Sequence, residues 1–521
     1  MNVETAYRRR WATLGVLCLS LLVIGLDNTI LNVALPSLSK DLHAGESQLQ
    51  WVVDGYTLVF AGLLLAAGSL GDRFGRKRAL AFGLIVFCGS SIWAATSSSA
   101  TELTLARALM GVGGAFIMPS TLSVLTNSFR DPQERAKAIG LWAAVSGLGI
   151  VFGPVLGGWL LGHFWWGSVF LVNVPVTIAA LVAGHWLVPE SKDPAAPRVD
   201  VVGAILSFTG LASLVWGIIE APSHGWTSTA VLVAFTLGGA ALTVFGWWES
   251  QTRQPMLDMA FFRDPRISAA ALSTTLVFFA LFGTIFFLTQ YLQFVLGYSP
   301  LEAGVRVMPI ATMVVGAPLA MKLSQHMGVK AVVAGGLSIV TMAMLMFSTT
   351  TMSSGYGHVV LVLSLLGFGM GATMAPATNA VMAALPKEKA GVGSAINDSV
   401  RQVGGALGVA VLGSILSSVY VDRLGQLPPA GRVPSAAKDG IGPALTVATH
   451  LPAAVGATLA QAARAAFVHA MDTTVLVGSG FTVLAVVAAA IWMPTRVDDI
   501  DAPDRVVEPE FEVGELEVAG A

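Results

Sequence analysis

The run LLVIGLDNTILNVALP, residues 21–36, carries an aspartate in an otherwise apolar stretch. Asp27 stands 15 residues beyond Ala12, about 22 Å along a helix rising ~1.5 Å per residue, which lies within the hydrocarbon depth of a bilayer. A carboxylate facing lipid there costs about 2.5–3.5 kcal/mol on insertion scales, so Asp27 is expected to face a protein interior or a water-filled path. The chemistry open to it is protonation. Desolvation favours the neutral acid and a nearby cation favours the carboxylate, so alternation between two such environments would carry a proton. Asn28 and Asn32, spaced i and i+4, extend a polar stripe beside it.

Other ionisable groups in apolar runs admit two accounts each. Asp54 is expected about one turn inside the outer end of its span, where it either attracts a cation at a cavity mouth or sits in the interface. Asp398 precedes Arg401 by three residues, and Glu302 precedes Arg306 by four; each is either a functional acid or half of a local pair on one helix. Glu220 and Asp472 fall near outer span ends, where solvated acids are ordinary, although an acid ending the seventh span could line an exit.

These residues require membrane-spanning helices to position them. The 521 residues are 55% hydrophobic and 12% charged, with a mean hydropathy of +0.73, which excludes an ordinary soluble protein and indicates a polytopic membrane protein. A net charge of -2 offers no basic surface to nucleic acid. Cys18 and Cys88 lie inside apolar runs and read as packed thiols. At roughly 20 apolar residues per span, 14 spans are expected. The first follows MNVETAYRRRW directly and is too long for a signal-peptide core, so it reads as retained. Basic residues concentrate at Arg8–Arg10, Arg73–Arg78, Arg130–Lys137 and later alternate loops, against Lys40, Arg423, Arg432, Lys438 and Arg464 on the other side, which puts both termini in the cytoplasm.

The halves echo one another: GAFIMPST at 114–121 resembles GATMAPAT at 371–378, and ERA at 134–136 resembles EKA at 388–390. Such echoes suit a duplicated transporter with its substrate between the halves. The offset exceeds six spans, so the seventh and eighth are expected to be an insert. The organisation expected is a six-helix half at 1–190, two inserted helices at 191–265, and a six-helix half at 266–495 with a long outer loop at 420–471. A disordered acidic tail at 496–521 follows. Within the long loop, ATLAQAARAAFVHAM at 457–471 is expected to form a short helix lying on the membrane surface.

Between spans 2 and 3 stands GSLGDRFGRKRAL, residues 68–80. Its glycines permit a tight turn, and Asp72 is placed to meet the positive end of a neighbouring helix. The order of residues resembles the cytoplasmic loop signature of the major facilitator superfamily. GIVFGPVLGG at 149–158 resembles the antiporter motif of that superfamily, and RALMGVGGA at 107–115 its span-4 motif, with Met110 where glutamine is common. With LDNTILNVALP, WVVDGYTL at 51–58 and 14 spans, the chain resembles the drug:proton antiporter branch with 14 spans, especially exporters of quaternary-ammonium antiseptics and dyes.

The resemblance implies an all-α integral membrane protein with the major facilitator fold, two six-helix halves plus two inserted helices. It implies a monomeric, proton-coupled exporter of lipophilic cationic compounds in a bacterial plasma membrane, working by alternating access without a cofactor or metal, and not an enzyme. The alternative is a proton-coupled exporter of one endogenous metabolite or antibiotic. Arg107 is the implied counter-charge of Asp27, in a proton carrier or in a static ion pair. Asp54 and Asp398 join them as coupling or substrate acids, with Glu220 and Glu302 secondary. Gly68, Asp72, Arg73, Gly75 and Arg76 would form a conformational switch, and Gly149, Gly153, Pro154, Gly157 and Gly158 the antiporter motif. Trp51, Phe116, Met118, Phe286, Phe287, Tyr291 and Met374 are candidates for an apolar cavity, and Trp165, Trp166 and Trp226 for interfacial belts. No Walker-type loop is present and the eight histidines are scattered, which disfavours an ATP-driven pump and a membrane metalloenzyme.

Overall fold

The computed structural model describes residues 7–129, 131–192, 199–252, 255–383, 390–426 and 434–493. The acidic tail, residues 388–389 of the EKA echo, and Arg130, Arg198, Arg253, Lys387, Lys389 and Arg432 lie outside the described residues.

Among the described residues, fourteen helices are long and apolar enough to cross a membrane. They are α1 (Arg10–Asp41), α2 (Glu46–Phe74), α3 (Arg76–Ala95), α4 (Ala100–Ser128), α5 (Gln133–His163), α6 (Ser168–Leu187) and α7 (Val201–His224). The chain continues through α8 (Thr229–Gln251), α9 (Pro265–Val295), α10 (Pro300–Met327), α11 (Val329–Phe347), α12 (Tyr356–Met382), α13 (Ile396–Gln426) and α14 (Ala453–Trp492). Short polar punctuation separates them. Ser99, Asp131, Ser228 and Asp264 each accept a hydrogen bond from an amide in the first turn of the helix that follows, which satisfies donors the helix itself leaves unpaired. Ser299 and Glu302 form a reciprocal capping box at the start of α10.

The bundle is two six-helix halves plus two inserted helices. One apolar core is built almost wholly from residues between Leu14 and Val188 and a second from Ile267 to Met493. The inserted α7 and α8 pack on each other where Gly210 faces Leu242 and Gly238 faces Leu214, and Trp248 Nε1 donates to Asp200 at 2.7 Å. Their outer faces carry large apolar side chains such as Trp247, 61% exposed, as lipid-facing helices do.

The halves are joined at the face of the bundle opposite Arg10. There Thr289 Oγ1 of α9 donates to the carbonyl of Asn32 at 2.7 Å and Gln293 Nε2 to that of Val33 at 3.0 Å. The amide of Glu46 donates to the carbonyl of Asp439 at 2.6 Å.

Three expectations are corrected. Residues 457–471 are not a separate surface helix but the first part of α14, 40 residues long, or roughly 60 Å at ~1.5 Å per residue. Nothing between Ala453 and Trp492 breaks it, and Leu459, Ala463, Ala466 and Phe467 are buried against the bundle. Asp472 therefore sits mid-helix rather than at a span end. Since α13 continues to Gln426, the connection between α13 and α14, expected as a long outer loop, shrinks to residues 427–452, with short helices at Ser435–Lys438 and Ile441–Thr449. Trp166 is buried rather than interfacial, while Trp165 and Trp226 are exposed.

Candidate functional site

The position of α1 is set by α5. A Cβ on Gly149 would stand 2.7 Å from the carbonyl carbon of Gly25, and Gly153 and Gly157 meet Thr29 and Ile30 in the same way. The Thr29 hydroxyl lies 3.2 Å from the carbonyl oxygen of Gly149. The other side of α5 reaches the second half, where Gly158 faces the backbone of Pro300 and Leu301, and Gly304 faces that of Pro154. The antiporter-like glycines are thus a strip of close backbone contact between α1, α5 and α10, of the kind small residues permit.

α4 is set against α2 and α3 by the same means. A Cβ on Gly111 would stand 2.6 Å from the carbonyl oxygen of Tyr56, and one on Gly113 2.8 Å from that of Gly83. This close approach lets Arg107, one turn earlier on α4, reach into the half. Its Nη1 donates to Asp27 Oδ2, its Nε donates to the carbonyl of Val52 at 3.1 Å, and its guanidinium lies 4.4 Å from the centre of the Tyr56 ring. Met110 contributes only a weak sulfur contact, 3.9 Å from Nη1. Both charged groups are buried, Asp27 at 0% and Arg107 at 1% exposure, so each depends on the other for neutralisation.

Asn173 completes the site. It is buried at the junction inside α6, and its Nδ2 donates to Asp27 Oδ1 at 3.2 Å. Sequence reasoning missed it, although an asparagine two residues before Pro175 in an apolar span was a readable signal.

The other acids do not join this pair directly. Asp54 is deeper than expected, because α2 begins at Glu46 rather than near residue 50. It is wholly buried, receives Thr57 Oγ1 at 3.3 Å, and its Oδ2 has no partner among the described residues. It shares α2 with Val52, whose carbonyl holds Arg107. Asp398 lies in the other half, 8% exposed and 3.8 Å from Arg401. Arg401 faces the Phe278 ring at 5.6 Å and Thr378 Oγ1 at 3.4 Å.

Glu302 is half exposed and caps α10 while pairing with Arg306 at 3.7 Å. Glu220 is not a freely solvated acid: it accepts Trp51 Nε1 at 2.9 Å and Ser47 Oγ at 3.1 Å, tying α7 to α2. Trp51 is thereby committed to a hydrogen bond. Phe286, Phe287 and Tyr291 are wholly buried in the packed core and do not line an open cavity in this state.

At the Arg10 end, Gly75 turns the chain between α2 and α3 with φ +124°, a conformation other residues adopt only with strain. Asp72 accepts Arg76 Nε at 2.7 Å, so it bridges to the first residue of the next helix rather than to a more distant one. Glu190 takes the place expected for Asp72: its Oε1 accepts the amide of Lys77 at 3.2 Å, at the N-terminus of α3, where a negative charge is favoured. Gly68 packs on Pro119, and Arg73 lies over Phe74.

Residues 17–409 match the model of the Major Facilitator Superfamily. The chain is 38% identical over 487 residues to the multidrug efflux pump LfrA of Mycolicibacterium smegmatis, covering 93% of this chain and 95% of that protein. It is 35% identical to the tetracenomycin C resistance and export protein of Streptomyces glaucescens, covering 97% and 94%. It is 33% identical to the methyl viologen resistance protein SmvA of Salmonella typhimurium, covering 93% and 98%. Its fold is similar to the crystal structure of a bacterial homologue of the human lysosomal transporter Spinster in an inward-facing, unoccupied conformation, with a TM-score of 0.63 at 19% identity, covering 92% of this chain and 97% of that one. The family model over most of the chain, the near full-length relatives and the 14-helix bundle agree: this multi-pass membrane protein belongs to the Major Facilitator Superfamily.

Proposed function

We propose that this chain is a proton-coupled multidrug exporter that moves lipophilic cationic compounds by alternating access. The observation that carries this reading is the buried Asp27–Arg107 pair, set on a helix that packs closely along the glycine strip of α5. In the closed pair Arg107 neutralises Asp27. A proton on Asp27 takes over that task and leaves the guanidinium to Val52 and the Tyr56 ring, and loss of the proton restores the pair. Because α5 touches α10 on its other side, a shift of α1 is carried to the seam between the halves. Asp54 and Asp398 serve as further acids for substrate or proton, while Glu220 and Glu302 act as structural anchors. The turn from Gly68 to Arg76 resists or permits rearrangement of the N-terminal half.

In this reading residues 1–190 and 266–495 are the moving halves and 191–265 the insert. The protein is a monomer in a bacterial plasma membrane with both termini cytoplasmic, as its basic loops favour. Cationic substrates are supported by the relation to a methyl viologen resistance protein, since methyl viologen is an organic dication. The second reading, export of one antibiotic or metabolite, is supported by the relation to the tetracenomycin C export protein.

The test is uptake into proteoliposomes under an imposed pH gradient, with methyl viologen, a monocationic dye and a neutral antibiotic. Accumulation of both cations that collapses with the gradient is expected. Gradient-driven movement of the neutral compound alone would favour the second reading, and no gradient dependence for any of them would remove proton coupling.

A further inference from the structure

Glu46 opens α2 at the seam where the halves meet, and it is buried at 5% exposure. Gln290 of α9, also buried, donates its Nε2 to Glu46 Oε1 at 3.1 Å. On the other side a Cβ on Gly440 would stand 3.3 Å from Glu46 Oε2. One turn along α2, Gln50 is wholly buried and its Oε1 accepts Ser414 Oγ of α13 at 3.3 Å. The Nε2 of Gln50 has no partner among the described residues. Both side chains therefore belong to α2 of the first half but are buried by α9, α13 and the α13–α14 connection of the second.

This carboxylate differs from Asp27 in one respect. Asp27 carries its neutralising arginine within its own half, whereas Glu46 has no ion-pair partner among the described residues. The titratable groups facing it are Tyr420 of α13 and Asp439 of the α13–α14 connection. Tyr420 keeps its hydroxyl on the carbonyls of Ala437 and Gly440, at 3.1 and 3.2 Å; Asp439, whose carboxyl burial pushes above its ordinary range, brings no positive charge. The N-terminal amides of α2 favour an anion, but their effect is smaller than the cost of burying an unpaired charge. Closure of the seam thus favours a neutral Glu46, and parting of the halves exposes it to water.

We propose that Glu46 is a second proton-carrying residue of the transport cycle, holding a proton while the seam between the halves is closed and releasing it to water when the seam opens. The proposal rests on the proton-coupled reading above. In the release step the carboxyl O–H bond breaks, the proton passes to water on the opened face, and a hydrated carboxylate remains. Reclosure then requires a proton from that same face. The closed seam binds one more proton than the open one, so the ratio of open to closed rises by up to about tenfold per pH unit.

The test uses the full chain in lipid nanodiscs, with Cys18 and Cys88 replaced by serine and spin labels on Asp41→Cys and His450→Cys. Distances are measured by pulsed electron resonance from pH 5.5 to 8.5. The open population of the parent protein is expected to grow with pH, Glu46→Gln to lose that response, and Asp439→Asn to keep it. Gln290→Leu, which removes the hydrogen bond that favours the carboxylate in the closed seam, is expected to raise the open population further, and most at the alkaline end. A parent protein indifferent to pH, or Glu46→Gln with the parent response, overturns the proposal. Where Glu46→Gln does not reconstitute, Gln290→Leu decides: a gain in the open population that grows with pH supports it, and an unchanged or pH-independent one overturns it. Gradient-driven uptake by the parent protein is measured in parallel, so intact uptake with an indifferent seam removes Glu46 alone, and a responsive seam without uptake removes the coupling reading.

Discussion

The carbonyl of Pro154 on α5 occupies the place that a Cβ on Gly304 of α10 would take, so the two halves meet there backbone to backbone. A Cβ on Gly158, one turn further, would stand 2.5 Å from the carbonyl oxygen of Pro300. Gly304→Ala is expected to disfavour this closed contact by about 1–3 kcal/mol of overpacking, with no such cost once the halves part. The open population should rise and transport fall. Interhelical distances and transport both equal to those of the parent protein would show that the contact is dispensable.

Asp27→Asn is expected to abolish gradient-driven export while leaving the protein folded, because asparagine still accepts a hydrogen bond from Arg107 but cannot be charged. Glu should substitute in part. Arg107→Ala is the harsher change: it strands a buried carboxylate, a loss of about 3–5 kcal/mol, and should lower the yield of folded protein. Concentrative uptake by Asp27→Asn in inverted vesicles at the parent rate would remove Asp27 from the coupling step.

Asp72→Asn removes a charge-assisted contact to Arg76, worth about 1 kcal/mol at such a partly exposed site. The expected result is slower turnover with unchanged equilibrium affinity for a dye substrate, measured by fluorescence titration. Glu190→Gln, which leaves the N-terminus of α3 without its acid, should act in the same direction. Weakened binding with normal turnover would contradict the assignment of this turn to the conformational cycle.

Asp54 is wholly buried and half unpartnered, so it can attract a cation only in a state that opens its surroundings. A second acid beyond Asp27 contributes a few kcal/mol of Coulomb attraction at intermediate dielectric and counts most for divalent substrates. Asp54→Asn is therefore expected to impair export of a dication more than that of a monocation, and a neutral compound least. Equal losses for all three at matched protein level would assign Asp54 to packing.

The sequence alone determined the number of spans, because continuous apolar runs of bilayer length have few other uses. It also pointed to Asp27 as the buried acid, while the family resemblance implied Arg107 as its partner and marked the glycine strip of α5. Its limits were positional. The start of α2 at Glu46, which buries Asp54 further in, and the unbroken run of α14 past Asp472 depend on helix ends that hydropathy places only within several residues. Asn173 stands 146 residues from Asp27 in sequence, and only the packing of α6 on α1 brings the two together.

Only the tertiary structure decided which partners meet. Arg107 reaches Asp27 because Gly111 and Gly113 bring α4 against α2 and α3, and Glu190 rather than Asp72 serves the amides of α3. In sequence Glu46 falls before the expected start of its span, and only Gln290 and Asp439, far away in sequence, close over it. Apolar runs report the bilayer through local composition, but the desolvation of a charge depends on which distant backbone comes within a few ångströms, and no local pattern contains that distance.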